Sequence, residues 1–317
     1  MPRRWIVVAV SIALVAAIAV VVIWSQRGSV PFARGEGCTV KVGDTLAELD
    51  LEQAKYASLI AATASKRGLP ARATTIAIAT AYQESKVRNI DYGDRDSLGL
   101  FQQRPSQGWG TPDQIKNPRY SIAKFFEALE KVDGYRDMMV TEAAQKVQRS
   151  AFGGAYADHE DYARALASSL SGNSDAAFTC QLKPPAETGQ EPGTNALTAN
   201  AEAVRVDVAK GFGSLRTGGY APGGVDSGHS AGSAHYDGKA VDFFFRPINA
   251  ESLKRGWSLA QYLLANAKRL EIKTVIYDDR IWTARRSDQG WRDYQAPDRG
   301  GDQDILRHRD HVHVDVA

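Results

Sequence analysis

The sequence has 317 residues, of which 43% are hydrophobic and 24% charged, and this supplies enough apolar material for substantial folded cores. The formal net charge is only +2, and the chain has no basic stripe of the kind that nucleic-acid binding requires. Length and composition therefore predict two folded domains and exclude a nucleic-acid partner.

The N-terminus contains an apolar segment, residues 5–24, without a charged side chain. A helix of this length spans about 30 Å, the thickness of the hydrocarbon core of a membrane. Arg3 and Arg4 precede it, and such charges favour the cytoplasmic side. We expect residues 1–25 to be a single-pass anchor in the cell membrane, with the N-terminus cytoplasmic and the rest of the chain extracytoplasmic. A cleaved signal peptide is the alternative.

Cys38 and Cys180 are the two cysteines of the chain. A disulfide persists outside the cytoplasm, and this pair brackets one predicted domain. We therefore expect a bridge that joins the two ends of that domain, with two free thiols as the alternative.

Helical patterns dominate the region after a predicted stalk at residues 26–44. Gly68 ends an amphipathic, Ala-rich run, and Pro70 is suited to the first turn of the next helix, over residues 71–86. The region contains no clear strand pattern. Residues 45–180 are therefore predicted to form a mainly α domain.

A second domain is predicted after a linker. Residues 181–199 are rich in Pro, Gly, Thr and Glu without periodicity, which is typical of a linker. Short runs rich in β-branched and aromatic residues at 240–245, 274–277 and 312–316 predict strands. Residues 200–317 are therefore predicted to form an α+β domain.

Glu84 is the candidate catalytic residue of the first domain. It lies at the end of an apolar helix, where burial and the helix dipole both favour its neutral form. A carboxylic acid that is protonated near neutral pH can protonate a glycosidic oxygen. A solvent-facing glutamate is the alternative. A second carboxylate is not fixed, since Asp91, Asp94 and Asp96 all lie in the following loop.

Two short motifs lie close together in the first domain. They comprise Glu84 and Ser85, then Ser97, Gly99 and Gln102 of a Ser-x-Gly-Leu-x-Gln segment. They resemble the motifs of soluble lytic transglycosylases and goose-type lysozymes, although Phe101 stands where a Met is usual. The resemblance implies a lysozyme-like fold in which Glu84 is the general acid/base and the segment lines a sugar-binding groove. Tyr156 is a candidate for stacking on a sugar, with core packing as the alternative.

A second candidate site lies near the C-terminus. His235 precedes Asp242, which opens an aromatic strand, and His311 and His313 lie on one face of a predicted strand because side chains alternate. A catalytic zinc takes three protein ligands of N or O type and leaves one position open for water. His235, Asp242 and His313 supply such a set, so we expect Zn²⁺ as the cofactor. A purely structural role is the alternative for each histidine.

The pattern Ser-x-His-x-x-Gly-x-Ala-x-Asp at 233–242, followed by His-x-His at 311–313, resembles the metallopeptidase group that contains lysostaphin, D-alanyl-D-alanine carboxypeptidases and the hedgehog domain. The resemblance implies the same three zinc ligands. It also implies that His311 assists the attacking water or polarises the substrate, or that Asp310, where a Glu is usual, is the general base. Arg216 is the implied substrate-binding arginine, with a solvated side chain as the alternative.

Together, the two domains predict a bifunctional hydrolase of peptidoglycan, which contains both glycosidic and peptide bonds. The predicted fold class is multidomain, with a single N-terminal transmembrane helix, a mainly α lysozyme-like domain and an α+β zinc metallopeptidase-like domain. One alternative is a wall-binding or scaffold component of an export or conjugation apparatus with inactive enzyme-like domains. Another is a zinc-dependent sensor that binds metal without cleaving peptides.

Overall fold

The computed structural model of the protein describes residues 35–317, apart from 149–153, 155, 221–223 and 299. The predicted anchor at residues 5–24 lies outside the described residues. Within the described ranges, every helix is too short or too polar to span a lipid bilayer. Residues Glu36–Ala317 form one compact unit that contains both helices and strands. The predicted fold class, with two separate domains, is therefore wrong, because residues 36–317 form one unit.

The N-terminal half of this unit is built mainly from helices. Its elements are β1 (Gly37–Val42), β2 (Thr45–Leu49), α1 (Leu51–Lys66), α2 (Ala71–Ser85), α3 (Pro112–Lys116), α4 (Pro118–Leu129), α5 (Val140–Gln148), α6 (Glu160–Leu170) and β3 (Phe178–Gln181). Asp50 starts α1, because its side chain accepts from the backbone N–H of Gln53 and the Gln53 side chain accepts from the backbone N–H of Asp50. This reciprocal capping satisfies two donors and fixes the start of the helix.

A three-stranded antiparallel sheet in the order β2-β1-β3 joins the two ends of the N-terminal half. Cys38 in β1 lies opposite Cys180 in β3, and the two form the expected disulfide, which is fully buried. Strand β1 falls within the segment expected to be a stalk.

The C-terminal half contains a six-stranded antiparallel sheet in the order β4-β5-β9-β6-β7-β8. Its elements are α7 (Ala199–Phe212), β4 (Thr217–Gly218), β5 (Ala240–Phe244), α8 (Ala250–Ala265), β6 (Ile272–Tyr277), β7 (Arg280–Thr283), β8 (Arg292–Asp293), α9 (Gln303–Leu306) and β9 (His311–Val316). Asn249 caps the start of helix α8, because its side chain accepts from the backbone N–H of Ser252. The helix packs against β6 and β9.

Strands β5 and β9 are neighbours in this sheet, and their register positions the candidate site. Asp242 lies opposite His313, and Phe244 lies opposite His311. Because alternate residues of a strand point to the same face, these four side chains share one face of the sheet. The residues that alternate with them are buried on the other face, in the hydrophobic core, namely Val241, Phe243, Val312 and Val314.

The two halves of the unit share buried polar contacts. Gln261 on α8 is fully buried, and its amide donates to the carbonyl oxygen of Ser169 at 2.7 Å and accepts from the backbone N–H of Phe178 at 2.9 Å. The indole N–H of Trp282 donates to the carbonyl oxygen of Cys180 at 3.1 Å. Unpaired polar groups at such positions would be costly, so these bonds hold the halves in one arrangement.

Residues 181–199, predicted as a linker, are held against the same unit. The backbone N–H of Leu182 donates to Ser287 Oγ at 2.9 Å, and the Ser287 hydroxyl donates back to the Leu182 carbonyl oxygen at 3.0 Å. Further along, Thr188 Oγ1 donates to the carbonyl oxygen of Ala317 at 2.9 Å. The segment is ordered by these individual bonds, which its composition does not reveal.

Candidate metal site

Three side chains converge beside strands β5 and β9. His235 Nε2 lies 3.0 Å from His313 Nδ1 and 3.3 Å from Asp242 Oδ1, and His313 Nδ1 lies 3.0 Å from the same oxygen. All three residues are buried, with exposed fractions of 3% for His235, 6% for Asp242 and 8% for His313. This buried group of two imidazoles and one carboxylate, called the metal cluster below, could hold a metal ion.

Gly219 orients the first imidazole of the cluster. Its carbonyl oxygen lies 2.9 Å from His235 Nδ1, so Nδ1–H donates to it and Nε2 presents a lone pair to the cluster. Gly219 has a φ of +81°, and a Cβ at this position would lie 2.3 Å from His235 Cε1. Glycine is therefore needed both for the backbone conformation and for the close approach of the ring.

Asp315 orients the second imidazole. Its Oδ1 lies 2.5 Å from His313 Nε2, and a carboxylate only accepts, so Nε2–H donates and Nδ1 faces the other two residues. Burial lowers the pKa of His313, but the carboxylates of Asp315 and Asp242 raise it to about 10. Burial raises the pKa of Asp242, but the neighbouring His235 and His313 hold it well below its usual range. The cluster therefore favours a positive charge at its centre.

His311 and Asp310 form a second pair at the edge of the metal cluster. His311 Nδ1 lies 2.6 Å from Asp310 Oδ1, and His311 Nε2 lies 3.8 Å from Asp242 Oδ1. Arg246 donates through Nε to Asp310 Oδ2 at 2.6 Å. Burial raises the pKa of Asp310, but His311 and Arg246 together lower it below its ordinary value. Both oxygens of Asp310 are thus engaged, whereas no hydrogen bond joins His311 Nε2 to another described residue.

The metal cluster borders a cleft of about 560 Å³. Other residues that line the cleft include His229, Phe244, Arg246, Tyr294, Ile305 and His308. Arg216, the predicted substrate-binding arginine, does not line it. This residue is exposed, and its carbonyl oxygen accepts from the backbone N–H of Phe244 at 2.9 Å. Arg246 is the arginine that the fold places at the cleft.

Three residues that support the cluster are not among the predicted site residues, namely Gly219, Arg246 and Asp315. Asp315 could have been found, because its spacing from His313 in a strand places both side chains on one face. Arg246 lies two residues after the aromatic strand β5, and only the pairing of β5 with β9 brings it to Asp310. Gly219 lies in a glycine-rich stretch, where no signal separates it from its neighbours.

Glu84 lies in the last turn of α2 and is partly buried. The hydroxyl of Tyr156 donates to Glu84 Oε1 at 2.8 Å, and Tyr156 itself is only 1% exposed. Burial raises the pKa of Glu84, and hydrogen bonds from Tyr156 and Gln148 offset this only in part. Burial therefore favours the neutral acid. Tyr156 is a core residue in contact with Glu84 and does not offer an exposed face to a sugar.

The loop after α2 is tied to the helix end that carries Glu84. Ser85 Oγ donates to the carbonyl oxygen of Leu100 at 2.8 Å, which fixes the Ser-x-Gly-Leu-x-Gln segment beside α2. Ser97 is buried, and Gly99 has a φ of +75° that suits glycine. The Gln102 amide donates to loop carbonyl oxygens at 3.2 and 3.3 Å. The predicted groove residues therefore shape this loop.

The aspartates of this loop are separate from Glu84. Asp96 accepts from the backbone N–H of Ser106 and from Arg104, and these bonds hold the pKa of Asp96 well below its usual range. Asp91 and Asp94 are exposed. Among the described residues, no hydrogen bond links any of the three to Glu84.

Part of the C-terminal half is similar to a known family. Residues 193–305 match the family described as VldE, C-terminal domain. The match includes His235 and Asp242, ends before His313, and covers less than half of the 317 residues, so it shows a similarity rather than membership. No curated protein matches the chain.

Proposed function

We propose that the protein is a zinc-dependent peptidase that acts on the peptide part of peptidoglycan. The observation that carries this proposal is the spacing of three ligand atoms, which lie 3.0, 3.0 and 3.3 Å apart. Tetrahedral ligands at zinc bond lengths of about 2.0–2.1 Å stand about 3.3 Å from one another. His235, Asp242 and His313 therefore fit zinc in donor type and in spacing, and the adjoining cleft leaves access for a substrate.

The chemistry that zinc supplies when bound is a water molecule with a pKa near 7 and polarisation of a carbonyl group. The protein prepares the donor atoms for this role. Gly219 and Asp315 each accept the N–H of one imidazole, so the other nitrogen of each ring faces inward, where it would bind the ion. Partners of this kind hold ring orientation and raise ligand basicity.

His311 is the residue that we assign to proton transfer. Asp310 accepts from Nδ1–H, which leaves Nε2 as the lone-pair atom at the edge of the metal cluster. Nε2 takes a proton from the attacking water and returns it to the leaving amine. Asp310 orients His311 and is the less suitable base, because His311 and Arg246 already occupy its two oxygens.

One observation favours a second activity, cleavage of the glycan strand by Glu84. Burial raises the pKa of this carboxyl group, and Tyr156 holds it in place by a hydrogen bond of 2.8 Å. A neutral acid is what protonation of a glycosidic oxygen requires. Both activities would act on one polymer outside the cytoplasm, a compartment in which the Cys38–Cys180 disulfide is stable.

Mass spectrometry of peptidoglycan treated with the purified protein tests both activities. The peptidase proposal predicts new amino termini that require zinc, disappear in His313→Ala and persist in Glu84→Gln. The glycan proposal predicts new glycan ends that disappear in Glu84→Gln and persist in His313→Ala. Undigested peptidoglycan after incubation with the zinc-loaded wild-type protein would contradict both proposals and favour a wall-binding or scaffold role.

A further inference from the structure

A second cleft, of about 520 Å³, lies where the two halves of the compact unit meet. The ends of α1 and α6 and the start of α2 form one side, and α8 with the end of α7 forms the other. We call it the seam cleft, and the residues that define it here are Lys66, Arg136, Ser171, Phe212, Lys254 and Arg255. It shares no lining residue with the cleft at the metal cluster.

The seam cleft has an excess of positive charge. Its cations are Lys66, Arg136, Lys254 and Arg255, and its one carboxylate is that of Glu251. None of these cations forms an ion pair within the described part of the chain. Lys66 Nζ donates to the backbone carbonyl oxygen of Lys210 at 3.4 Å, a contact that leaves its charge uncompensated. Like charges gathered in a concave site repel one another and attract an anion.

The backbone adds to this positive potential. Pro70 and Ala71 line the seam cleft, and Ala71 is the first residue of the fifteen-residue helix α2. Pro70 provides no side-chain hydrogen bond to the start of the helix. The positive end of the α2 dipole therefore lies at the same cleft as the cations.

We propose that the seam cleft binds a ligand that carries a diphosphate group. Guanidinium groups bind phosphate oxygens in pairs, and ammonium groups add compact charges, so a mixed set of arginines and lysines suits a multiply charged phosphate. The volume lies within the range of about 300–1,000 Å³ that is usual for small-molecule sites, and a single inorganic phosphate would fill little of it. This site is independent of the proposed peptidase activity.

Calorimetric titration of the full-length protein with inorganic pyrophosphate tests the proposal, at low ionic strength and with EDTA present so that no metal contributes. Lys254→Ala with Arg255→Ala should raise the Kd by about tenfold or more, since hydrogen bonds between charged groups are stronger than those between neutral groups. The matched control is Lys41→Ala with Arg285→Ala, which removes the same charge from exposed residues outside the cleft. The control should change the Kd by less than about twofold, because screened distant charges act weakly.

Three results would overturn the proposal. They are no binding of pyrophosphate to the wild-type protein, binding only when EDTA is omitted, and an equal loss of affinity in the control pair. Thermal unfolding checks that each variant is folded. If the Lys254/Arg255 variant does not fold, Arg136→Ala is tested in its place, because Arg136 is exposed. Its removal should weaken the binding of pyrophosphate. An unchanged Kd in this variant would overturn the proposal.

Discussion

At the metal cluster each imidazole ligand is held by a further contact, whereas at Glu84 a single carboxyl group is held by a phenol. His235 is fixed by Gly219 and His313 by Asp315, and both rings meet Asp242 at hydrogen-bond distance or close to it. Glu84 has Tyr156 as its partner, and the loop aspartates are engaged elsewhere or exposed. The first site could therefore hold an ion with its ligands already oriented, whereas at the second site the carboxyl group itself is the only group positioned among the described residues.

The difference follows from the elements that carry the two sites. Paired strands fix the distance between opposite side chains, so the β5–β9 register alone brings Asp242 and His313 together. At the other site, the end of α2 fixes Glu84, and the positions of the loop aspartates depend on contacts within the loop. We therefore expect substitutions at the metal cluster to have the larger and more specific effects.

The largest effect is expected for His313→Ala, which removes a proposed ligand. Zinc affinity should fall by more than the factor of about 10–100 that loss of an orienting partner costs, and peptide cleavage should be lost with it. Zinc content by mass spectrometry and release of new amino termini measure the two losses. His159→Ala is the matched control, because His159 contacts Gln83 in the N-terminal half, and it should keep its zinc. A His313→Ala protein that retains zinc would contradict the assignment.

His311→Ala should separate catalysis from metal binding. Loss of a proton-transfer group reduces turnover by about 100- to 10,000-fold, while zinc content stays at the wild-type level. Asp310→Asn should reduce turnover less, since His311 remains. Steady-state kinetics on a peptidoglycan-derived peptide, with zinc measured on the same samples, checks both. Unchanged turnover in His311→Ala would move the general base to another residue.

Asp315→Asn should have a smaller effect, on the affinity for zinc. The amide keeps the size of the side chain but provides a weaker acceptor for His313 Nε2–H, and such partners contribute about 10- to 100-fold to metal affinity. Competition with a fluorescent zinc chelator measures the change. Asp293→Asn is the control, because this strand aspartate is largely exposed, and equal affinities for the two variants would mean that Asp315 does not support the ligand.

The smallest effect is expected for the stability of Glu84→Gln. The pKa of Glu84 is raised in the folded state, so the folded protein holds this proton more tightly than the unfolded chain does. The free energy of unfolding therefore falls as the pH rises through the folded-state pKa. A glutamine at this position does not ionise, so the variant lacks this fall in the free energy of unfolding, and its amide oxygen still accepts from Tyr156. The variant should be slightly more stable than wild type at pH 7 and equally stable at about pH 3, below both pKa values, in denaturant titrations. Lower stability of the variant at pH 7 would show that Glu84 is stabilised as the carboxylate.

Much of the metal cluster could be predicted because its signals are local. The alternation in His311–His313 places two imidazoles on one face, and His235 and Asp242 lie close together in the chain. The register between β5 and β9 could not be predicted, because it joins segments far apart in sequence. For that reason Arg246 was missed, although it contacts Asp310.

The sequence patterns also could not predict that the two halves form one compact unit. Ser258, Gln261 and Asn266 on or next to α8 have the polarity of surface residues, yet each is at most 2% exposed. They are buried because they bond to the N-terminal half, as Asn266 does to Ser58 Oγ at 3.1 Å. A pattern of polar and apolar residues cannot distinguish solvent from a polar partner across an interface, so two separate domains were predicted.

The central claim is that His235, Asp242 and His313 hold one zinc ion. Anomalous X-ray diffraction at the zinc edge, on crystals of the protein grown with zinc, tests it most directly. We expect one strong peak about 2.0–2.2 Å from His235 Nε2, His313 Nδ1 and an Asp242 oxygen, with no peak in Asp242→Ala crystals. Crystals without anomalous density among these three residues, or with zinc bound elsewhere and unaffected by Asp242→Ala, would contradict it.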